Sequence, residues 1–305
     1  MEPTRPKLPS GAIALYNLFI HGEISRRKFM DGLKQYATGG VAIAALAESL
    51  MPNYAAGQQV SKTDERIKAG YETVQSPQGN GSIKGYLVRP ASADTRDVKP
   101  AKLPGILVVH ENRGLNPHIE DVTRRFALAG FMAFAPDGLT SAGGFPGDDY
   151  RGGQMFSKID GKKMAEDMIA AAMWLKARPD CTGKIGVTGF CYGGGISNTL
   201  AVRLGADLAA AAPFYGGMPT AKEDIARIKA AILVHHGELD TRLATAWPAY
   251  DAALKDAGCM HEGHVYPGAV HGFNCDATPE RYNKVAADLA WQRTVDWFNK
   301  HVRTA

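Results

Sequence analysis

From about Tyr71 onward, the sequence alternates short apolar runs with longer amphipathic stretches. The runs SIKGYLV (82–88), GILVVH (105–110), FMAFAP (131–136), KIGVTG (184–189), AAAAPFY (209–215), AILVHHG (231–237) and EGHVYPG (262–268) have the length of strands. Several are almost uniformly apolar, which is the pattern of strands covered on both faces. Residues 119–129, 162–177, 194–204, 245–257 and 281–302 read as the helices between them, and in the last of these Val285, Leu289, Val295 and Phe298 recur at near-helical spacing. Strand and helix in alternation predict right-handed crossovers, and hence an α/β fold: a doubly wound, mainly parallel sheet with helices on both sides. Internal repeats and low-complexity segments are lacking. The Gly/Pro/Asp-rich stretch TSAGGFPGDD before Tyr150 reads as the rim of a site rather than a domain boundary.

The first sixty residues follow a different pattern, so the chain divides into a segment 1–60 and a main domain 61–305. Within the former, SRRKFMDGLKQYATGGVAIAALAESL (25–50) pairs two arginines with a mildly apolar Ala/Gly-rich stretch, and Ala55 and Ala56 offer small residues for a cleavage point. That resembles a twin-arginine export signal, which implies a periplasmic location. Against it, Glu48 interrupts the apolar stretch, Asp31 follows closely on the basic cluster, and the upstream ALYNLFIHG already carries residues able to pack. A retained helical arm on a cytoplasmic protein is the preferred expectation. The stretch Ala37–Ala47 is far shorter than the roughly 20 residues a spanning helix needs, so no membrane anchor is expected. An arm of this kind also offers a route to a homo-oligomer by exchange between copies.

Composition narrows the function classes. With 305 residues and 45% hydrophobic content the chain buries a full core. Lys and Arg exceed Asp and Glu by 35 to 31, a net charge of +4, with no basic run long enough to track a phosphate backbone. No nucleic-acid partner is expected. Cys181, Cys191, Cys259 and Cys275 form no C-x-x-C pair, which argues against a zinc site or a disulfide framework and for free thiols. No metal or organic cofactor is expected.

One of those cysteines stands out by its place. In KIGVTGFCYGGGISN (184–198), Cys191 occupies the turn from a strand into a helix, with Gly189 two residues before it and Gly193 two after. This is the spacing of the G-x-S-x-G nucleophile elbow with sulfur in place of oxygen. Glycines let the chain pass where a Cβ would collide, and the helix N-terminus favours negative charge at the sulfur by roughly 0.3 to 1 kcal/mol. The plainer readings are a buried structural thiol, or a phosphate loop. The latter wants a lysine and a serine or threonine after the glycines, whereas here the run continues GISNTL.

A nucleophile in such a sheet takes its partners in the chain order nucleophile, acid, histidine, from loops after later strands. Asp240 follows the strand AILVHHG and His271 follows EGHVYPG. Glu238 is the rival acid. Among the other histidines, His235 and His236 lie inside a strand and His261, His264 and His118 lack a nearby nucleophile, while His110 precedes Glu111 at a strand end.

Taken together, GFCYGG, GELDTR, AVHGF and HENRGLNPHIEDVTRRFALAGFMAFAPDG resemble the dienelactone hydrolase family of α/β-hydrolases, from about residue 80 to the C-terminus. The resemblance implies a triad of Cys191, Asp240 and His271, a glutamate at Glu111, and an oxyanion pocket built from the backbone N–H groups of Asn112 and Tyr192. It also implies that Glu111 holds the resting thiol neutral until substrate displaces that contact. Family members that act on dienelactone hold the substrate carboxylate with arginines, one of them four residues after the histidine; here that position is Cys275. Arg113, Arg151 and Arg242 are the candidate substitutes, although a surface ion pair is the commoner role of a lone arginine.

Sulfur selects the substrate. A cysteine thiol has a pKa of about 8.5, whereas an unactivated alkoxide resembles water at roughly 15.7, so a simple alkyl ester tends to expel the thiolate again. Enol, aryl and thio esters escape this problem. The expectation is therefore a hydrolase of activated esters or enol lactones working through an acyl-cysteine. Two other classes compete: a non-catalytic α/β-hydrolase scaffold that binds or assembles through its arm, which a blocked pocket over Cys191 would favour, and a redox thiol with Cys275 as resolving partner.

Overall fold

A computed structural model of the protein describes residues 8–20, 22–37, 42–93 and 101–303. Four short helices come first: α1 (Ser10–Ile20), α2 (Arg26–Leu33), α3 (Ile43–Ser49) and α4 (Tyr54–Gly57). Residues 38–41 of the apolar stretch Ala37–Ala47 lie outside the described residues. The main domain follows as β1 (Ile67–Ser76), β2 (Gly81–Pro90), β3 (Leu103–Val109), α5 (Pro117–Leu128), β4 (Met132–Pro136), α6 (Asp149–Phe156), α7 (Gly161–Ala177), β5 (Cys181–Phe190), α8 (Tyr192–Leu204), β6 (Ala210–Phe214), α9 (Lys222–Ile225), β7 (Ala231–Gly237), α10 (Thr241–Asp256), β8 (His261–Tyr266) and α11 (Lys284–Phe298).

The strands form one sheet in the order β1-β2-β4-β3-β5-β6-β7-β8. From β4 to β8 every pairing is parallel, while β1 and β2 add an antiparallel hairpin at one edge. The uniform apolar runs have the predicted cause. In β3, Ile106 and Val108 enter the core on one side, under α5 and α11, while Leu107 and Val109 enter the other, under α7 and α8. Strand pleating sends alternate residues to opposite faces, and both faces are dry.

Side-chain caps mark the helix starts. Asn116 accepts from the Ile119 N–H at 3.1 Å with Pro117 in the first turn of α5, and Asp160 accepts from the Lys162 and Lys163 N–H groups ahead of α7. Two elements differ from the sequence expectation. β1 lacks an apolar run because it is an edge strand burying only Ile67, Val74 and Ser76. α6 hides behind two glycines that ordinarily weaken a helix; a Cβ on Gly152 would lie 2.4 Å from the Arg113 carbonyl oxygen, so that glycine serves close packing.

The N-terminal helices have a small core of their own, in which Ala12, Tyr16, Ile20, Phe29, Leu33, Leu46, Ala47 and Leu50 are buried together. Phe19 stacks on Phe29 at 4.7 Å and on Tyr150 of α6 at 5.5 Å, which seats this layer on the main domain. Among the described residues no helix is long and apolar enough to cross a membrane.

Where α8 begins, backbone rests on backbone. A Cβ on Gly189 would lie 2.2 Å from the Gly193 carbonyl oxygen, and one on Gly193 would lie 2.2 Å from the Val109 carbonyl oxygen. Neither neighbour can yield without moving a central strand. Gly193→Ala is therefore expected to destabilise the fold by about 3 kcal/mol or more, seen as a lower denaturation midpoint in urea, whereas Gly183→Ala, with open space around it but a positive φ, should cost only about 1 kcal/mol.

Candidate active site

Cys191 stands between β5 and α8 with φ 55° and ψ −108°. Among the described residues, only Cys191 and Tyr215 combine a side chain with positive φ, and such outliers gather at functional sites because the surrounding structure must hold them there. The turn is pinned by the Cys191 N–H donating to the Phe214 carbonyl and the Gly195 N–H donating to the Cys191 carbonyl, each at 3.1 Å. It sets the half-buried Cys191 at the edge of a cavity of about 520 Å³ lined also by Tyr192, Gly195, Ile196, Thr199 and Met218. Tyr192 is the first residue of α8, so its N–H has no carbonyl within the helix to bond.

The sheet topology brings the two partner loops to the same edge. Asp240 follows β7 and His271 follows β8, the strand next to it, and His271 Nδ1 lies 2.6 Å from Asp240 Oδ2. Burial disfavours a charge on the ring. That is the largest single influence, but the Cys191 charge, the bond to Asp240 and the proximity of Cys191 and Asp240 together exceed it and push the ring up to about 10. Burial likewise raises the Asp240 carboxyl, but its bond to His271 and the charges of His271 and Arg242 leave it below the usual carboxylate range. Two of the side chains singled out in the sequence, Asp240 and His271, are thus hydrogen-bonded, and Cys191 is close enough to bear on the charge of the ring. Tyr215 flanks the ring at 5.0 Å between centroids.

Glu111 sits just past β3, half-buried. Burial pushes its carboxyl up, yet Arg281 and Arg113, with His118 and His271, hold it below its ordinary value. The charges that most strongly favour its ionised form are those of the two arginines. His110 fixes this loop from behind: its Nε2 accepts from the Gly138 N–H at 2.8 Å, which leaves Nδ1–H to donate to the Glu111 carbonyl.

The remaining sequence candidates separate. Arg113 is buried and already engaged, its Nε lying 3.7 Å from Asp149 Oδ2. Arg151 is exposed on α6, and Arg242 is exposed at the edge of a hollow of about 340 Å³ that shares Gly217, Met218 and Pro219 with the cavity at Cys191. Glu238 turns away to accept from the Gly268 N–H at 2.8 Å. His235 is internally bonded to Tyr266 and Thr294 at 2.9 and 3.0 Å, and burial lowers its basicity strongly. Cys275 is buried, and burial with the charge of Glu111 pushes its thiol up to about 12, which makes it a poor resolving thiol. Arg281 is the site residue that sequence reasoning missed. It is 5% exposed, and a Cβ on Gly272 would lie 2.8 Å from its guanidinium, so it sits directly against the His271 loop. Its place in the irregular stretch CDATPERYN carries no periodic or motif signal that would have found it.

Comparison with known proteins gives a consistent result. The profile of the Dienelactone hydrolase family matches residues 83–302. An Escherichia coli O157:H7 protein named “Putative carboxymethylenebutenolidase” is 31% identical over 256 residues, covering 79% of this chain and 90% of its own length. A second relative, the “Putative hydrolase fragment YghX” of Escherichia coli K12, is 52% identical over 116 residues, 38% of this chain and 94% of the fragment. The crystal structure of the “Putative Dienelactone Hydrolase” of Klebsiella pneumoniae superposes with a TM-score of 0.64 at 27% identity, covering 77% of this chain and 99% of that one.

The charge on His271 has a measurable consequence. Cys191 and His271 bear on each other's charge, the sulfur raising the basicity of the ring. Alkylation of Cys191 by iodoacetamide, followed by mass spectrometry across pH, is expected to remain fast well below the ordinary cysteine pKa of about 8.5 and to shift toward that value in His271→Ala.

Proposed function

This chain belongs to the dienelactone hydrolase family, a family of ester and lactone hydrolases, and on that premise we propose that it cleaves activated carboxylic esters or enol lactones through an acyl-cysteine on Cys191. The observation that carries this reading is the 2.6 Å bond between Asp240 and His271 on a ring whose basicity is raised by the adjacent sulfur. Asp240 fixes the tautomer and orientation of the imidazole, as the acid of a triad must.

The reaction runs in two halves. The Cys191 thiolate adds to the carbonyl carbon, and the new oxyanion is met by the N–H groups of Tyr192 and Asn112. Collapse then breaks the bond to the leaving oxygen, with the His271 imidazolium supplying the proton. Water, deprotonated by the same ring, adds to the thioester and releases the acid and the thiolate. Because a thiolate leaves more readily than an alkoxide, the forward route depends on an ester whose oxygen is a good leaving group.

Three further features support this reading. Cys191 lines an open cavity of about 520 Å³ rather than a filled one, which favours catalysis over a silent scaffold. The raised acidity barrier at Cys275 speaks against a Cys191–Cys275 redox couple. Arg281 and Arg113 neutralise Glu111, which leaves the thiolate beside His271 without an uncompensated carboxylate next to it. Of the arginine substitutes, Arg242 is the one that borders space continuous with the site.

Phenyl acetate hydrolysis tests the assignment. Cys191→Ala and His271→Ala are expected to lower kcat/KM by roughly 10³-fold or more, and an acetyl adduct on Cys191 should be visible by intact mass in the wild type. Equal rates in all three proteins would reject it. Ethyl acetate should be turned over more slowly than phenyl acetate by on the order of 10²-fold or more, a ratio that reflects the leaving group.

A further inference from the structure

The N-terminal layer meets the main domain at the loops that carry the site. Ile20 is the last residue of α1, and its carbonyl is one of those a helix end leaves without an internal partner. It accepts from Asn112 Nδ2 and from an Arg113 guanidinium nitrogen, each at 3.1 Å. A cation at the carbonyl end of a helix also gains from the helix dipole. Below it, the Tyr54 hydroxyl of α4 donates to Asp149 Oδ1 at 2.6 Å and accepts from Asn116 Nδ2 at 2.9 Å, while Asp149 faces Arg113.

The His271 loop is gripped by the same segment. The Asn53 N–H donates to the Ala277 carbonyl at 2.6 Å, and Gln59 Nε2 donates to Asp276 Oδ2 at 2.8 Å. Tyr16 of α1 lies with its ring 5.4 Å from the Arg281 guanidinium. A Cβ on Gly57 would come within 2.6 Å of the Ala277 backbone, so the fit leaves no room for slack.

These contacts bear on the two readings of residues 1–60. Cleavage beside Ala55 or Ala56, as an export signal requires, would remove Ile20 and Tyr54 together. Burial pushes the Asp149 carboxyl up, and the Arg113 charge and the Tyr54 bond oppose that; without Tyr54 and Ile20 a buried acid and a buried guanidinium would each lose a partner. Asn112, whose N–H is assigned to the oxyanion, would lose the bond that fixes its side chain.

We infer that helices α1 and α4 form a permanent support of the active site, in which the Ile20 carbonyl and the Tyr54 hydroxyl are positioning groups that hold Asn112, Arg113 and Asp149 in place for catalysis. The inference rests on the hydrolase reading of Cys191 and Asn112. Donors aimed in advance at a developing oxyanion act in the transition state, so loosening them lowers kcat rather than raising KM.

Full-length Tyr54→Phe assayed on phenyl acetate separates the cases. Loss of one hydrogen bond to a charged group is expected to reduce kcat on the order of 10-fold with KM changed by less than about twofold. An unchanged kcat, or an effect confined to KM, would overturn the inference while leaving the hydrolase reading intact, provided that wild type is active and Cys191→Ala is not. Inactive wild type would instead fault the hydrolase reading. Intact mass of the protein purified from the cell in which it is native gives an answer independent of that variant. Retention of residues 10–57 is expected; a mature protein beginning after Ala56 would overturn the inference whatever its activity.

Discussion

The contact of bare backbone with bare backbone at the start of α8 is the constraint from which the rest follows. Gly193 lies against the Val109 carbonyl of β3, and a Cβ on Gly194 would come within 2.4 Å of the Phe214 carbonyl of β6. Three strand ends and a helix start are thereby drawn into a space no side chain could share. The residue at the apex is left with no freedom but to project outward, and it does so with a positive φ that only a strongly held segment sustains. Everything that makes Cys191 a candidate nucleophile, from its exposure to the cavity to its seat at a helix N-terminus, is a consequence of that crowding.

Charge then decides what the projecting sulfur does. Two acid-base clusters share this edge of the sheet. In one, Asp240 is hydrogen-bonded to His271, whose charge Cys191 favours. In the other, Glu111 and Asp149 are matched against Arg113 and Arg281. Keeping the second cluster internally neutral matters for the first, since an unmatched carboxylate near a thiolate costs several kcal/mol in a poorly solvated site. The arginines expected to greet substrate thus include one, Arg113, whose role is to balance its neighbours.

The N-terminal helices belong to this electrostatic design. Their small core could stand apart as a separate layer, yet their polar ends are spent on the loops after β3 and β8. A helix end and a tyrosine hydroxyl supply what the main domain's buried groups lack. In return, the main domain satisfies carbonyls that the short helices cannot satisfy themselves.

Much of this was legible in one dimension. Uniform apolar runs pointed to strands buried on both faces, the glycine spacing around Cys191 pointed to a sharp turn, and chain order nominated Asp240 and His271. Those features depend on local sterics and on which residues water rejects, and both are written residue by residue. What the sequence could not disclose were relations between distant segments. β1 looked featureless because an edge strand buries little, α6 was masked because Gly152 serves a neighbour's carbonyl, and Arg281 gave no sign because a guanidinium acquires its role from the carboxylate that folding brings beside it. The same holds for the N-terminal segment, whose composition leaned towards a retained arm but left a leader in play. Only tertiary structure decided where their polar ends go, because a hydrogen bond between Ile20 and Asn112 spans 92 positions of sequence and leaves no local pattern.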